Sequence, residues 1–154
     1  ESLMKLFQSI LEEFEAEVSC TIYSSGPIFE QLKAKYASFG VVFTGLVPEK
    51  ELAELLMRSD LQVIPQIGES ADAALPSKLP NLLVSDCDIL ALTSPTSELY
   101  KIVDNYANGF ASDWKLGEVI GFIRSRIDNA RERKIGDNLP DTYSINKLVD
   151  FLIE

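Results

Sequence analysis

The sequence contains no histidine and only two cysteines, Cys20 and Cys87. Without histidine, and with two isolated cysteines, zinc sites and the serine or cysteine triads that use a histidine base are excluded. Each cysteine adjoins or lies in a strand-like run, which favours buried free thiols in a reducing compartment over a disulfide. We therefore expect no metal site and a cytoplasmic location.

Long apolar runs and excess positive charge are also missing. No run approaches the ~18 residues of a membrane span, and no signal peptide is recognisable. The net charge of −10 argues against a nucleic-acid partner, because such proteins need basic groups on phosphates. The basic residues concentrate in 124–134, which we interpret as a solvated helix face rather than a binding patch.

The length of 154 residues suits a single domain, 1–154. The sequence starts at Glu1 rather than methionine, so we expect a fragment of a larger protein. Apolar residues at helical spacing predict helices over 3–14, 28–39, 48–59, 78–85, 97–105 and 113–128, and a last one around 145–152. Short β-rich runs predict strands over 18–23, 41–44, 61–65, 89–93 and 109–111.

The strands are short, mostly apolar and non-alternating, as expected when helices cover both faces of a parallel sheet. The pattern predicts an α/β fold, a Rossmann-like three-layer sandwich with a mostly parallel sheet. Ligands of such sheets bind beyond the carboxyl ends of the strands. Because the chain opens with a helix, the usual first strand is expected outside the chain or absent from the fold.

The ordered series "SSGPIFEQL", "VVFTGLVPEKELAELLMRSDLQVIPQ", "LPSKLPNLLVSDCDILALT" and "SELYKIVDNYANGF" is distinctive. It resembles the C-terminal, nucleotide-sugar-binding domain of retaining group 1 glycosyltransferases of the two-domain GT-B fold, most closely the bacterial exopolysaccharide enzymes. The resemblance covers nearly the whole chain. It implies a UDP- or GDP-sugar donor, no further cofactor, and one lobe of a GT-B fold.

The resemblance implies two donor-binding segments. The turn "FTGLVP" is similar to the family's base-binding loop, with Gly45 admitting the base and Leu46 and Val47 offering backbone groups; alternatively, Gly45 is only a turn glycine. The segment "PSKLPN" matches the start of the phosphate-binding helix, whose free N–H groups attract anions. There we expect Ser77 to cap the helix, Lys78 to add positive charge, and Leu79 and Asn81 to lie in the first turn.

The family carries two glutamates across this junction, one for the sugar and one for the ribose. This sequence has Ala73 and Asn81 at those positions. Asn81 can still hydrogen-bond a hydroxyl, and Glu69 or Asp72 could replace the other role. Glu98 matches a later family glutamate, but is also an ordinary acid at a helix start.

The resemblance further implies an acceptor-binding N-terminal domain in the parent chain, through which the protein could lie at the inner membrane surface near a glycan or lipid-linked acceptor. Transfer needs both substrates in one cleft, so we expect this fragment alone to be inactive. The alternative is a non-catalytic interaction module of the same fold that has lost the glutamates. A related sugar-nucleotide epimerase and a flavodoxin-like signalling domain are weaker alternatives.

Overall fold

The computed structural model describes residues 2–66, 75–85, 87–137 and 149–152. Helices and strands alternate along most of this length. The helices are α1 (Ser2–Phe14), α2 (Pro27–Tyr36), α3 (Glu49–Arg58), α4 (Leu79–Leu83), α5 (Glu98–Asp104) and α6 (Leu116–Asp137). The strands are β1 (Cys20–Tyr23), β2 (Val42–Thr44), β3 (Leu61–Pro65), β4 (Asp88–Leu92), β5 (Gly109–Ser112) and β6 (Val149–Leu152).

The six strands form one sheet in the order β2-β1-β6-β3-β4-β5. Every pair of neighbours is parallel. Helices cover both faces, and the predicted α/β class with a Rossmann-like sandwich is therefore confirmed. All carboxyl ends of the parallel strands lie along one edge, which we call the carboxyl edge.

Alternate residues of the strands divide the core in two. On one face, Leu61 and Val63 pack with apolar side chains of α1, α2 and α6 and form the first core. On the other face, Ile64 and Ala91 pack with apolar side chains of α3, α4 and α5 and form the second core. Because each face must exclude water, the strands read as continuous apolar runs. Both cysteines are buried and free, as predicted.

The prediction of a final helix around 145–152 is wrong for its last four residues. Val149–Leu152 form β6, which lies between β1 and β3 in the middle of the sheet. Four register pairs join it to β1, and one pair, Gln62 with Asp150, joins it to β3. A short apolar segment fits either period, and its backbone groups find hydrogen-bonding partners on the neighbouring strands. Residues 145 and 148 lie outside the described part of the chain.

Candidate functional site

A cleft of about 650 Å³ lies over β1 and β2. Cys20 and Ile22 of β1 point into the first core, so Thr21 and Tyr23 face the opposite side. Val42 and Thr44 of β2 share that side, because they pair in register with Thr21 and Tyr23. These four side chains form the floor of the cleft. The cleft exists because none of the described helices covers this part of the sheet.

The predicted base-binding loop closes the carboxyl-edge end of the cleft. Gly45, Leu46, Val47 and Pro48 all line it, and the large apolar side chain of Leu46 is 62% exposed. A Cβ added to Gly45 would meet no atom within 4 Å. Gly45 is also absent from the described glycines with positive φ, so its backbone does not require glycine. The open space beside it is therefore a property of the cleft, not of a strained turn.

Helix α3 forms one wall of the cleft with Glu51, Glu54, Leu55 and Arg58. These positions recur at helical spacing and lie on one stripe. A second stripe, Leu52 and Leu56, packs into the second core, so α3 is anchored by one side and faces the cleft with another. Arg58 Nη1 lies 3.5 Å from Glu54 Oε1, and both side chains are largely exposed.

The predicted phosphate-binding segment lies elsewhere. Its helix α4 has only five residues and packs into the second core through Leu79 and Leu82. None of Ser77, Lys78, Leu79 and Asn81 lines the cleft. The structure therefore places Gly45–Val47 in the lining of the cleft and the residues around α4 outside it.

The prediction that Ser77 caps this helix is wrong by one position. Lys78 occupies the N-cap position and makes no side-chain cap hydrogen bond. The Leu79 N–H already donates to the Pro76 carbonyl at 3.0 Å, and Pro80 has no N–H to offer. The reason is a tight turn at Pro76–Leu79, which shifts the first helical residue and engages one of the expected anion-binding amides.

Glu98 is the exposed first residue of α5 and does not line the cleft. Ser97 caps this helix, because its Oγ accepts a hydrogen bond from the Tyr100 N–H at 3.1 Å. An acid in the first turn complements the helix dipole. The position of Glu98 fits the helix-start interpretation. Glu69, Asp72 and Ala73 lie outside the described residues.

Sequence reasoning missed most of the cleft. The floor residues Thr21 and Tyr23 and the wall residues Glu51 and Glu54 were not identified as site residues. The available signal was the alternation of polar and apolar residues in "CTIY", which marks a strand with one face outside the core.

Sequence reasoning also missed a second, smaller cleft of about 460 Å³ between the beginnings of α1 and α6. Trp114 lines it, with Lys5, Leu6 and Leu116. The Trp114 backbone has φ of 56°, and its Nε1 donates to the Gln66 carbonyl at 3.3 Å. This indole therefore ties the end of β5 to the end of β3.

The basic stretch 124–134 makes ion pairs within the chain where its side chains are described. Arg124 pairs with Glu13 of α1, and Arg126 Nε lies 3.2 Å from Asp88 Oδ2. Arg126 also lies over the ring of Phe122. These contacts favour the interpretation of a helix face over a binding patch.

The comparisons with protein-family models, curated proteins and solved structures return no match. Among the described residues, no three histidine, cysteine, aspartate or glutamate side chains are grouped so that they could bind a metal ion. Within the same ranges, every helix is too short or too polar to cross a lipid bilayer.

Proposed function

We propose that this chain is the donor-binding domain of a glycosyltransferase, which binds a UDP- or GDP-sugar for transfer to a glycan or lipid-linked acceptor. The observation that carries the proposal is the open cleft over β1 and β2, whose Gly45–Pro48 end lies at the carboxyl edge of a parallel sheet. Ligands of α/β sheets bind at this edge. The volume of about 650 Å³ lies within the range of small-molecule sites, roughly 300–1,000 Å³.

The lining suits the planar, partly apolar base of a nucleotide. Leu46, Val47 and Leu55 offer apolar contact, while Thr21 and Thr44 offer hydroxyl groups. The parent enzyme would supply the acceptor-binding domain and would act in the cytoplasm or at the inner membrane surface. The fragment alone would bind the donor without transferring the sugar, since the second substrate has no place in it.

The proposal is tested by titrating the ¹⁵N-labelled chain with UDP, GDP and their glucose conjugates. We expect amide shifts at residues 45–47 and at neighbouring floor residues. The variant Gly45→Val, which places a branched side chain into the open space, should weaken binding at least ~10-fold, a loss of about 1.4 kcal/mol. The control Gly121→Ala changes an exposed helix position with open space around it and should bind normally. Absence of shifts at 45–47 at millimolar ligand would refute the proposal.

A second candidate function is a non-catalytic interaction module. It is favoured by the separation of Ser77–Asn81 and Glu98 from the cleft and by Asn81 and Ala73 at the positions of the family glutamates. The titration described above discriminates the two, because the donor-binding function requires amide shifts at residues 45–47 and the interaction module does not. Shifts at these residues support the donor-binding function, and their absence supports the interaction module.

A further inference from the structure

We propose that Glu51 and Glu54 make this cleft selective for uncharged ligand groups, so that phosphates on a nucleoside lower its affinity. This inference rests on the proposed function, because it concerns the same cleft. Under this inference the two residues of α3 are specificity determinants. The cleft binds the nucleoside part of the donor rather than its diphosphate.

The first observation is the charge of the lining. Of the described residues around the cleft, two are acidic and one, Arg58, is basic. Arg58 Nη1 already lies 3.5 Å from Glu54 Oε1. Lys50 Nζ approaches Glu51 Oε1 at 4.0 Å. Both pairs are largely exposed, so water screens each of them. With two acidic residues and one basic residue, the described lining presents a net charge of −1 to an anion that enters the cleft.

The second observation is where the charges lie along α3. Glu51 stands in the first turn, next to the loop that ends at Pro48. Arg58 follows seven residues later, about 10 Å further along the helix axis. A phosphate carried by a nucleoside at Gly45–Val47 would therefore lie closer to the Glu51 carboxylate than to the guanidinium group.

The third observation concerns the helix dipole. The start of α3 could attract an anion, but Glu51 already places a carboxylate there and its N–H donates to the Pro48 carbonyl at 2.8 Å. Lys78 gives no compensation inside the cleft, because it precedes α4 and does not line it. The remaining lining is neutral, with hydroxyl groups on Thr21, Tyr23 and Thr44. It can hydrogen-bond a base or ribose without favouring charge.

The test compares uridine, UMP and UDP as ligands of the intact chain by calorimetry or NMR titration. For the native sequence we expect affinity to fall in that order, and the affinity for UDP to rise with added salt, since screening weakens repulsion. In the double variant Glu51→Gln, Glu54→Gln, the affinity for UDP should rise ~5-fold with no change for uridine. The control Glu30→Gln removes an exposed carboxylate of α2 that does not line the cleft, and should change neither affinity.

Tighter binding of UDP than of uridine, or an unchanged UDP affinity in the double variant, would overturn this inference while leaving the proposed function intact. Failure of uridine and UDP alike to bind would overturn this inference, and the same failure with GDP in the titration described above would also overturn the proposed function. Circular dichroism spectra of each variant establish that the fold is retained before the affinities are compared.

Discussion

At the scale of single residues, short hydrogen-bonded clusters decide where helices start. Ser112, fully buried at the end of β5, accepts a hydrogen bond from the Lys115 N–H and donates one to Glu118 Oε2 at 2.9 Å. The sequence predicts the start of this helix at residue 113, but α6 begins at Leu116. The difference arises because Trp114 adopts a left-handed backbone conformation, which turns the chain before the helix can begin.

The same cluster predicts a pH dependence. Hydrogen bonds from Lys115 Nζ and then from the Ser112 hydroxyl lower the pKa of Glu118. A carboxyl whose pKa is lowered in the folded state stabilises the protein above its unfolded pKa, about 4.3, and this contribution is lost as the pH falls through the lowered folded pKa. Ser112→Ala should raise the pKa of Glu118, measured by ¹³C NMR titration.

Ser112→Ala should also lower the free energy of unfolding by about 1 kcal/mol, because a buried hydroxyl that bonds both the turn before α6 and Glu118 is lost. The control Ser125→Ala removes a hydroxyl that only bonds the Phe122 carbonyl on an exposed face of α6. We expect its effect to stay within about 0.5 kcal/mol. Equal effects of the two substitutions in urea denaturation would contradict the stabilising role of the Ser112 hydrogen bonds.

At the scale of elements, the contact between α5 and β5 depends on one glycine. A Cβ on Gly109 would lie 2.0 Å from the backbone carbonyl oxygen of Val103. The strand therefore approaches the end of the helix more closely than any side chain permits, and the Gly109 N–H donates to the Tyr106 carbonyl at 2.9 Å. The sequence predicts only a strand over 109–111 and not the close approach, which depends on the packing of two elements.

Gly109→Ala should lower the free energy of unfolding by about 3 kcal/mol, because the clash involves backbone that cannot move without displacing α5. The matched control is Gly121→Ala on α6, where an added Cβ meets nothing within 4 Å. That change should stabilise the helix by about 0.5–1 kcal/mol, since alanine has the higher helix propensity. Thermal and urea denaturation measure both changes, and a neutral Gly109→Ala would contradict the close contact.

At the scale of the whole molecule, β6 joins two groups of strands that the rest of the described sequence keeps apart. One group is β2-β1 and the other is β3-β4-β5. Because β6 lies between them, the hydrogen-bonded ladder of the sheet is continuous only through this strand. The cooperativity of the fold should therefore depend on residues 149–152 more than their number suggests.

Phe151→Pro tests this position, since proline removes a backbone donor and is not tolerated within a central strand. We expect the free energy of unfolding to fall by more than about 2 kcal/mol. Amide protection measured by hydrogen exchange should fall in both β1 and β3. Phe151→Leu, which keeps the N–H and an apolar side chain, should retain most of the protection. Loss of protection confined to one group of strands would contradict the central place of β6.

The sequence by itself determined the α/β class and the approximate bounds of α1 to α5 and of β1 to β5, because apolar periodicity, turn residues and composition are local signals. It ended the long helix at residue 128, whereas α6 continues to Asp137. The resemblance to a family singled out Gly45–Val47, which line the cleft, and their role in donor binding stays a prediction. The same local signals failed at Val149–Leu152, where four residues are too few to separate a helix from a strand.

Only the tertiary structure decided where the cleft lies and which residues share it. The floor forms because β2 and β1 lie at one end of the strand order, and no described helix covers the face that carries Thr21 and Thr44. This arrangement depends on the order of strands that are distant in sequence. The same order sets α4 and Glu98 apart from Gly45–Val47 and brings Glu51 and Glu54 beside them. Which residues become neighbours in space depends on the order of the strands and on the crossover connections between them. The local sequence pattern of a segment does not specify either of these.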